Sequence, residues 1–322
     1  MQSSIVRSFM STPAPTELRV MVFPGGANLP LWVAEDKGFG SRAGIKLALT
    51  PTPNSVALVR ALMSGEQDIA LSAFDNIVAY REGQGEVALD EAPDLFAFMA
   101  FSRGTLRLVV RPEVKSYAEL RGKTLGVDAI ATGYSMALVK LLQLGGLAPG
   151  DYALDSVGGT AMRAEALMQG KIAGTMITSP LELAPEAQGC RRLANAVDVL
   201  GPYQTIVGAA RRSWAVAHRE TLIAFIRANL DALEWLFEPA NRAEAVVIYR
   251  KHLPNVPQAA AERAVAVLTG EREGFVRDGR LEREAMSTVL RIRSELGRPA
   301  KKLDDPAGYV DESYYRAAQS LR

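Results

Sequence analysis

Two stretches of this chain, residues 18–80 and 122–182, run through the same succession: strand, helix, strand, helix, a small residue with glycine, a short strand and a polar loop. Short apolar runs separated by helical patterns read as parallel strands with right-handed crossovers, so each stretch predicts an α/β unit. The parallel lies in the order of elements, not in residue identity. It points to two α/β lobes of related build whose loop ends can face one another.

The first unit shows the logic. Residues 18–23 form an apolar run of strand length, and Pro24, Gly25, Gly26, Ala27 and Asn28 break it. Pro30 suits the first turn of a helix, Leu31, Val33 and Ala34 give that helix an apolar face, and Lys37-Gly38 is a good stop. Residues 44–49 read as a second strand ended by Pro51 and Pro53, with Asn54-Ser55 capping the next helix. A buried strand at 69–71 then ends in a polar loop, 72–76, before a helix from Ile77 to Gly83.

Further on, 95–101 and 106–110 are apolar runs, and 124–127 is a strand followed by a helix through Leu142. Residues 175–177 and 205–210 are short strands. From 220 onward the pattern is helical and amphipathic, and the tail carries Tyr309, Tyr314 and Tyr315 as a docked terminal helix.

Composition narrows the function classes. With 322 residues, 48% hydrophobic and 23% charged, the chain can bury two ordinary cores, and its net charge of +1 gives no reason to expect nucleic acid or an anionic membrane as partner. One cysteine, Cys190, excludes an internal disulfide and any multi-cysteine metal site. His218 and His252 fall in charged helical segments, so no metal is expected, and no cofactor motif is present. Residues 1–16 carry Arg7, two prolines and several serines, and no stretch has the length and apolarity of a signal or a membrane span.

Six segments in this order carry a family resemblance: LPLWVAEDKGF at 29–39, AGI at 43–45, LMSGEQDIA at 62–70, YAELRGKTLGV at 117–127, LMQGKIAG at 167–174 and YVDESYY at 309–315. The chain resembles the substrate-binding proteins of ABC importers, in the NMT1/THI5-like group that carries nitrate, alkanesulfonates, taurine and the thiamin pyrimidine precursor. That resemblance implies a periplasmic binding protein type II fold, with two doubly wound lobes joined by two hinge crossings near 102–108 and 203–208, and a helical C-terminal extension. Lobe I would comprise 17–105 and 206–322, and lobe II 106–205. It further implies a periplasmic monomer that closes around a small-molecule ligand and delivers it to an ABC transporter permease.

In such an arrangement the cleft is lined by loops after strands: 25–28, 53–55 and 72–76 from one lobe, 128–135, 158–160 and 178–182 from the other. Several of these open helices, whose free N–H groups suit an oxoanion or carboxylate. Candidate ligand contacts are Gly26, Asn28, Asn54, Ser55, Ser72, Thr132, Gly133, Gly159, Thr160 and Thr178, with Ser135 a further hydroxyl; the alternative for each hydroxyl or amide is a helix cap. Asp75, Asp128 and Glu182, if all face inward, favour an amine or protonated ring nitrogen; the alternative for Asp75 and Asp128 is N-capping. Arg103 could pair a ligand carboxylate or one of those acids, or form a hinge salt bridge. Trp32, Phe74 or Tyr134 could pack on the apolar part of a zwitterionic or heteroaromatic ligand, although Trp32 fits the core equally well.

Two other classes stay open at this stage. The fold is shared with pyrimidine synthases of thiamin biosynthesis and with a cysteine-dependent desulfinase, but the first loop carries Asn28 and no cysteine, Cys190 lies outside the expected cleft, and neither histidine is in a cleft loop. A decarboxylase built on Arg103 and an acid is the enzyme reading that survives. A ligand-sensing partner of a receptor is the third.

Overall fold

The computed structural model describes residues 14–103, 106–271 and 274–322. Residues 1–13, and Gly104 and Thr105 within the first crossing, lie outside the described residues.

Among the described residues, the strands form two five-stranded mixed sheets. Strand β1 (Thr16–Val22) is followed by α1 (Leu29–Asp36), the short α2 (Phe39–Arg42), β2 (Ile45–Pro51), α3 (Ser55–Ser64), β3 (Ile69–Ala73), α4 (Phe74–Arg81) and β4 (Leu95–Ser102). The chain then crosses to β5 (Leu106–Val110), β6 (Thr124–Val127), α5 (Gly133–Leu144), β7 (Ala153–Ser156), α6 (Thr160–Met168), β8 (Gly174–Thr178), α7 (Leu183–Ala187), β9 (Arg191–Asn195) and α8 (Ala196–Leu200). It returns through β10 (Ile206–Arg211) and finishes with α9 (Arg212–Ala217), α10 (Arg219–Phe237), α11 (Arg242–His252), α12 (Gln258–Leu268), α13 (Arg283–Leu296) and α14 (Ser313–Ser320).

The two sheets have one plan. The first is ordered β2-β1-β3-β10-β4 and the second β7-β6-β8-β5-β9; in each, three neighbouring strands are parallel and the fourth runs against them. That antiparallel strand is the one by which the chain arrives from the other lobe. Ile206 at the start of β10 pairs with Ala73 and Ser102, while Leu106 at the start of β5 pairs with Thr178. Both crossings therefore sit at the edge where the parallel strands end.

Three boundaries differ from the sequence reading, each for a physical reason. Pro51 does not stop β2 but pairs with Val22, which is possible because β2 is an edge strand and needs no outward N–H there. Helix α4 begins at Phe74 directly after β3, so of the segment read as a loop, 72–73 end β3 and 74–76 form the first turn of α4. Strand β9, at the opposite edge of the second sheet, had no apolar alternation to announce it: its residues are exposed or half-buried.

The core follows the layers. Phe96, Phe98 and Phe101 of β4 are fully buried, with Phe98 and Phe101 against Phe225 of α10, and Tyr314 and Tyr315 dock α14 as the tail pattern predicts. Gly208 of β10 is held to glycine by packing: a Cβ there would stand 2.4 Å from the Phe98 ring.

Three arginines, Arg107, Arg163 and Arg293, are completely buried. Arg293 of α13 donates two hydrogen bonds of 2.6 Å to Asp75 in the first turn of α4, and a third of 2.8 Å to the carbonyl of Ala131 in the opposite lobe. Burial pulls its pKa down, but the charge and hydrogen bonds of Asp75 outweigh that and leave it raised. Breaking a buried pair strands a charge, so Asp75→Ala is expected to lose about 3–5 kcal/mol of stability. Removing both partners, in Asp75→Leu/Arg293→Met, should restore a large part of it; urea unfolding of the two variants beside the parent protein makes the comparison.

Candidate functional site

The carboxyl ends of the parallel strands meet across the gap between the sheets. A cavity of about 60 Å³ lies there, adjoined by a second of about 40 Å³, with Phe23, Leu71, Thr160, Thr178 and Ile206 common to both walls. Four helix amino ends open onto the larger one. Ser55 begins α3 and Ala73 caps α4 from the first lobe; Thr132, Gly133 and Tyr134 begin α5 and Thr160 begins α6 from the second. Each such end carries a partial positive charge, up to about half an elementary charge; at α3 the Ser55 and Ala57 N–H groups are already taken by Asp128 and Asn54, and at α4 the Phe74 N–H by the Thr205 carbonyl.

A hydrogen-bonded chain links the lobes at this point. Asp128, in the loop after β6, accepts at Oδ2 from the Ser55 N–H at 3.1 Å and from the Ser55 hydroxyl. Asn76 in turn donates to the Ser55 hydroxyl at 3.2 Å and to the Ser72 hydroxyl at 3.1 Å. The second lobe thus supplies a carboxylate to the amino end of a helix in the first, where negative charge is favoured. Beside it the Gly159 N–H donates to the carbonyl of Pro53 at 2.8 Å, again from one lobe to the other. In this structure the lobes are in contact around the cavity.

Arg163, one turn into α6, forms part of the cavity wall. Its guanidinium donates to the Thr175 and Thr160 hydroxyls and to the carbonyls of Gly158 and Met176, over 2.6–3.1 Å. Unlike the other two buried arginines it has no carboxylate partner among the described residues. Burial lowers its pKa, with the nearby charge of Asp128 acting the other way. Tyr134 is pushed up by burial.

Of the residues singled out in the sequence, Ser55, Ser72, Asp128, Thr132, Gly133, Tyr134, Thr160 and Thr178 are brought together on the wall of the larger cavity. Gly26 and Asn28 border the smaller one, where the Asn28 amide ties the turn by donating to the Phe23 carbonyl at 2.8 Å. Asn54 caps α3, accepting from the Ala57 N–H. Gly159 stands behind the wall, in the contact with Pro53 described above.

Other expectations need correction. Asp75 lines neither cavity; its carboxylate is spent on Arg293 and packs against Gly133 of the opposite lobe, where a Cβ would stand 2.3 Å from Asp75 Cγ. Glu182 is fully buried against Arg107, accepting from that guanidinium and from the Ser179 hydroxyl at 3.1 Å, and burial raises its pKa while Arg107 opposes the rise. Arg103 turns to Glu282 at 2.7 Å and to the Glu271 carbonyl, which is the hinge-salt-bridge alternative and takes Arg103 away from the decarboxylase reading. Trp32 stacks on His252 at 4.9 Å and Phe74 meets Tyr309 edge-on, so both are core residues. Ser135 is buried behind the cavity wall.

Sequence reasoning missed Phe23 and Arg163, and it placed Asn76 and Ile206 only as members of the cleft loop 72–76 and the crossing 203–208. Arg163 had a readable signal: it lies three and four residues before Ala166 and Leu167, so a charge stands in the apolar stripe of α6.

No group of three or more His, Cys, Asp or Glu among the described residues could hold a metal ion. Cys190 packs with Val109, Leu167 and Ile177, away from both cavities.

A family model described as NMT1/THI5 like matches residues 27–243, about two thirds of the chain. The chain belongs to the NMT1/THI5-like family. No curated protein sequence matches it. Among solved structures, this family member is similar to the periplasmic nitrate-binding protein NrtA from Synechocystis PCC 6803 (15% identity, TM-score 0.79, 97% of this chain and 90% of that one). It is similar to the alkanesulfonate-binding protein SsuA from Xanthomonas axonopodis pv. citri, bound to MOPS (19%, 0.72, 93% and 99%). It is also similar to the desulfurization enzyme DSZB (14%, 0.66, 95% and 100%). These likenesses establish the fold, which is that of type II periplasmic binding proteins.

The close approach at Gly159 makes a direct test of the gap. A Cβ there would lie 3.1 Å from both the Pro53 carbonyl and the Phe23 ring. Gly159→Val should wedge the lobes apart, weakening any solute held between them by at least about tenfold, or 1.4 kcal/mol, while the melting temperature of the free protein stays near the parent value.

Proposed function

We propose that this protein is the solute-binding component of an ABC import system, which captures one small polar molecule between its lobes and presents it to a membrane permease. The observation that carries this reading is the convergence of four helix amino ends, two from each lobe, on one small cavity between the lobes. Such a wall holds a ligand through fixed N–H groups and short hydroxyls, and binding free energy goes into closing the lobes. Nitrate- and sulfonate-binding proteins with the same fold support it, as does the family.

The lobes are assigned as 17–105 with 206–322, and 106–205, so that rotation occurs at the two crossings. Ile206 lies at one crossing and on the cavity wall, which couples that rotation to the contents of the cavity. The protein is assigned to the periplasm as a monomer. No helix among the described residues is long and apolar enough to cross a membrane.

The desulfurization enzyme with this fold keeps an enzymatic alternative in view. On the cavity walls described here there is no cysteine or histidine, and Asp128 is the one carboxylate, already engaged with Ser55. That set suits holding rather than transforming.

Thermal-shift screening against sulfonates, nitrate, small amino acids and pyrimidines should yield a strong stabiliser. At a concentration 100 times its Kd, a ligand of the folded state adds about 2.7 kcal/mol. The stabilising solute should be recovered unchanged after prolonged incubation; chemical conversion would instead identify an enzyme, and a blank across the panel would remove the carrier reading.

A further inference from the structure

The charges on the cavity wall are arranged in a way that selects among small polar solutes. Asp128 is about nine-tenths buried and lines the cavity. Its Oδ2 is satisfied by Ser55, but its Oδ1 is buried with no donor among the described residues. A buried carboxylate oxygen left without a donor is costly, more so than a neutral group.

The protein's own cations do not supply that donor. Arg293 and Arg107 are committed to Asp75 and Glu182 on the far sides of the wall. Arg163 is close enough for the Asp128 charge to be felt, yet its hydrogen bonds go to two hydroxyls and two carbonyls. The wall therefore carries one negative and one positive side chain, not paired with each other, together with four helix amino ends.

A purely anionic solute would gain from Arg163 and the helix ends but would leave Asp128 Oδ1 without a donor and close to a like charge. A purely cationic solute would satisfy Asp128 and face the positive ends of four helices. A molecule with both signs satisfies each part of the wall.

Building on the carrier reading, we infer that the solute is a short zwitterion: its ammonium, amidinium or protonated ring N–H donates to Asp128 Oδ1, and its carboxylate or sulfonate lies toward Arg163 and the amino ends of α5 and α6. The cavity is small. With its neighbour it offers about 60 and 40 Å³, which favours a short chain between the charged ends. Because Asp128 also caps α3 across the gap, the carboxylate that reads the solute's N–H is the one that fastens the lobes.

The test is titration calorimetry of the full chain at neutral pH with two matched pairs, β-alanine against propionate and taurine against ethanesulfonate. The members of each pair differ by one ammonium group. In at least one pair the amino member is expected to bind about tenfold or more tightly than its partner, a difference of 1.4 kcal/mol. In Asp128→Asn the amide oxygen can still accept from Ser55, so the melting temperature should hold while the preference for the amino member disappears. A second variant, Arg163→Lys, should weaken both members of a pair alike. Equal or tighter binding of the des-amino member, a preference that survives Asp128→Asn, or no binding by any of the four overturns the inference. The two readings fail separately: a strong stabiliser without an N–H donor in the wider screen removes the zwitterion and leaves the carrier, whereas no stabiliser at all removes both.

Discussion

Parallel strands can be joined only by crossovers, and the hand of those crossovers brings the helix that follows each strand back over one edge of the sheet. In this protein that constraint operates twice. The ends of β2 and β3 lead into α3 and α4, the ends of β6 and β7 into α5 and α6, and all four helices begin at the gap. The cavity is thus a consequence of topology before any side chain is considered. The two chain crossings lie at the same edge, as the pairings of Ile206 and Leu106 show, so the place where the molecule can bend is also where the solute would lie.

Within that frame the buried charges divide into two kinds. Asp75 with Arg293, and Glu182 with Arg107, are closed pairs in which each charge has its counterpart and neither faces the cavity. Such pairs add little net stability over apolar packing, but breaking one is expensive, so they hold particular elements in register: α13 against α4, and the loop after β8 against β5. Asp128 and Arg163 are open charges. Neither has an oppositely charged side-chain partner among the described residues: Asp128 keeps Oδ1 without a donor, while every nitrogen of Arg163 is bonded to neutral groups, and both stand on the same wall. In the proposed carrier, that division makes Asp128 and Arg163 the side chains that would read the solute.

Much of this was legible in the sequence, because strand, turn and helix signals are local. Pro30 and Asn54 sit where helix starts need them, and the runs 18–23 and 106–110 are strands because nothing else buries so short an apolar stretch. The loops that line the gap followed from the α/β plan, which is why Ser55, Asp128, Thr132, Thr160 and Thr178 were placed together. What was not legible depends on partners distant in sequence. Asp75 and Glu182 read as cleft acids because Arg293 and Arg107, 218 and 75 positions away, cannot be seen from their own segments. Phe74 reads as part of a loop because α4 starts with no break after β3, and Ala73 gives no cap signal. Arg163 was passed over as one charge in an otherwise ordinary amphipathic helix.

Closure of the two lobes on a solute at the crossings can be measured as a distance. Spin labels at exposed Arg60 on α3 and Glu165 on α6, with Cys190 replaced by alanine, would report the separation of the two lobes by pulsed electron resonance. With the solute that raises the melting temperature most, the distribution should gain or enrich a shorter, narrower population at the expense of a longer one. An identical distribution in the free and saturated protein would contradict the account.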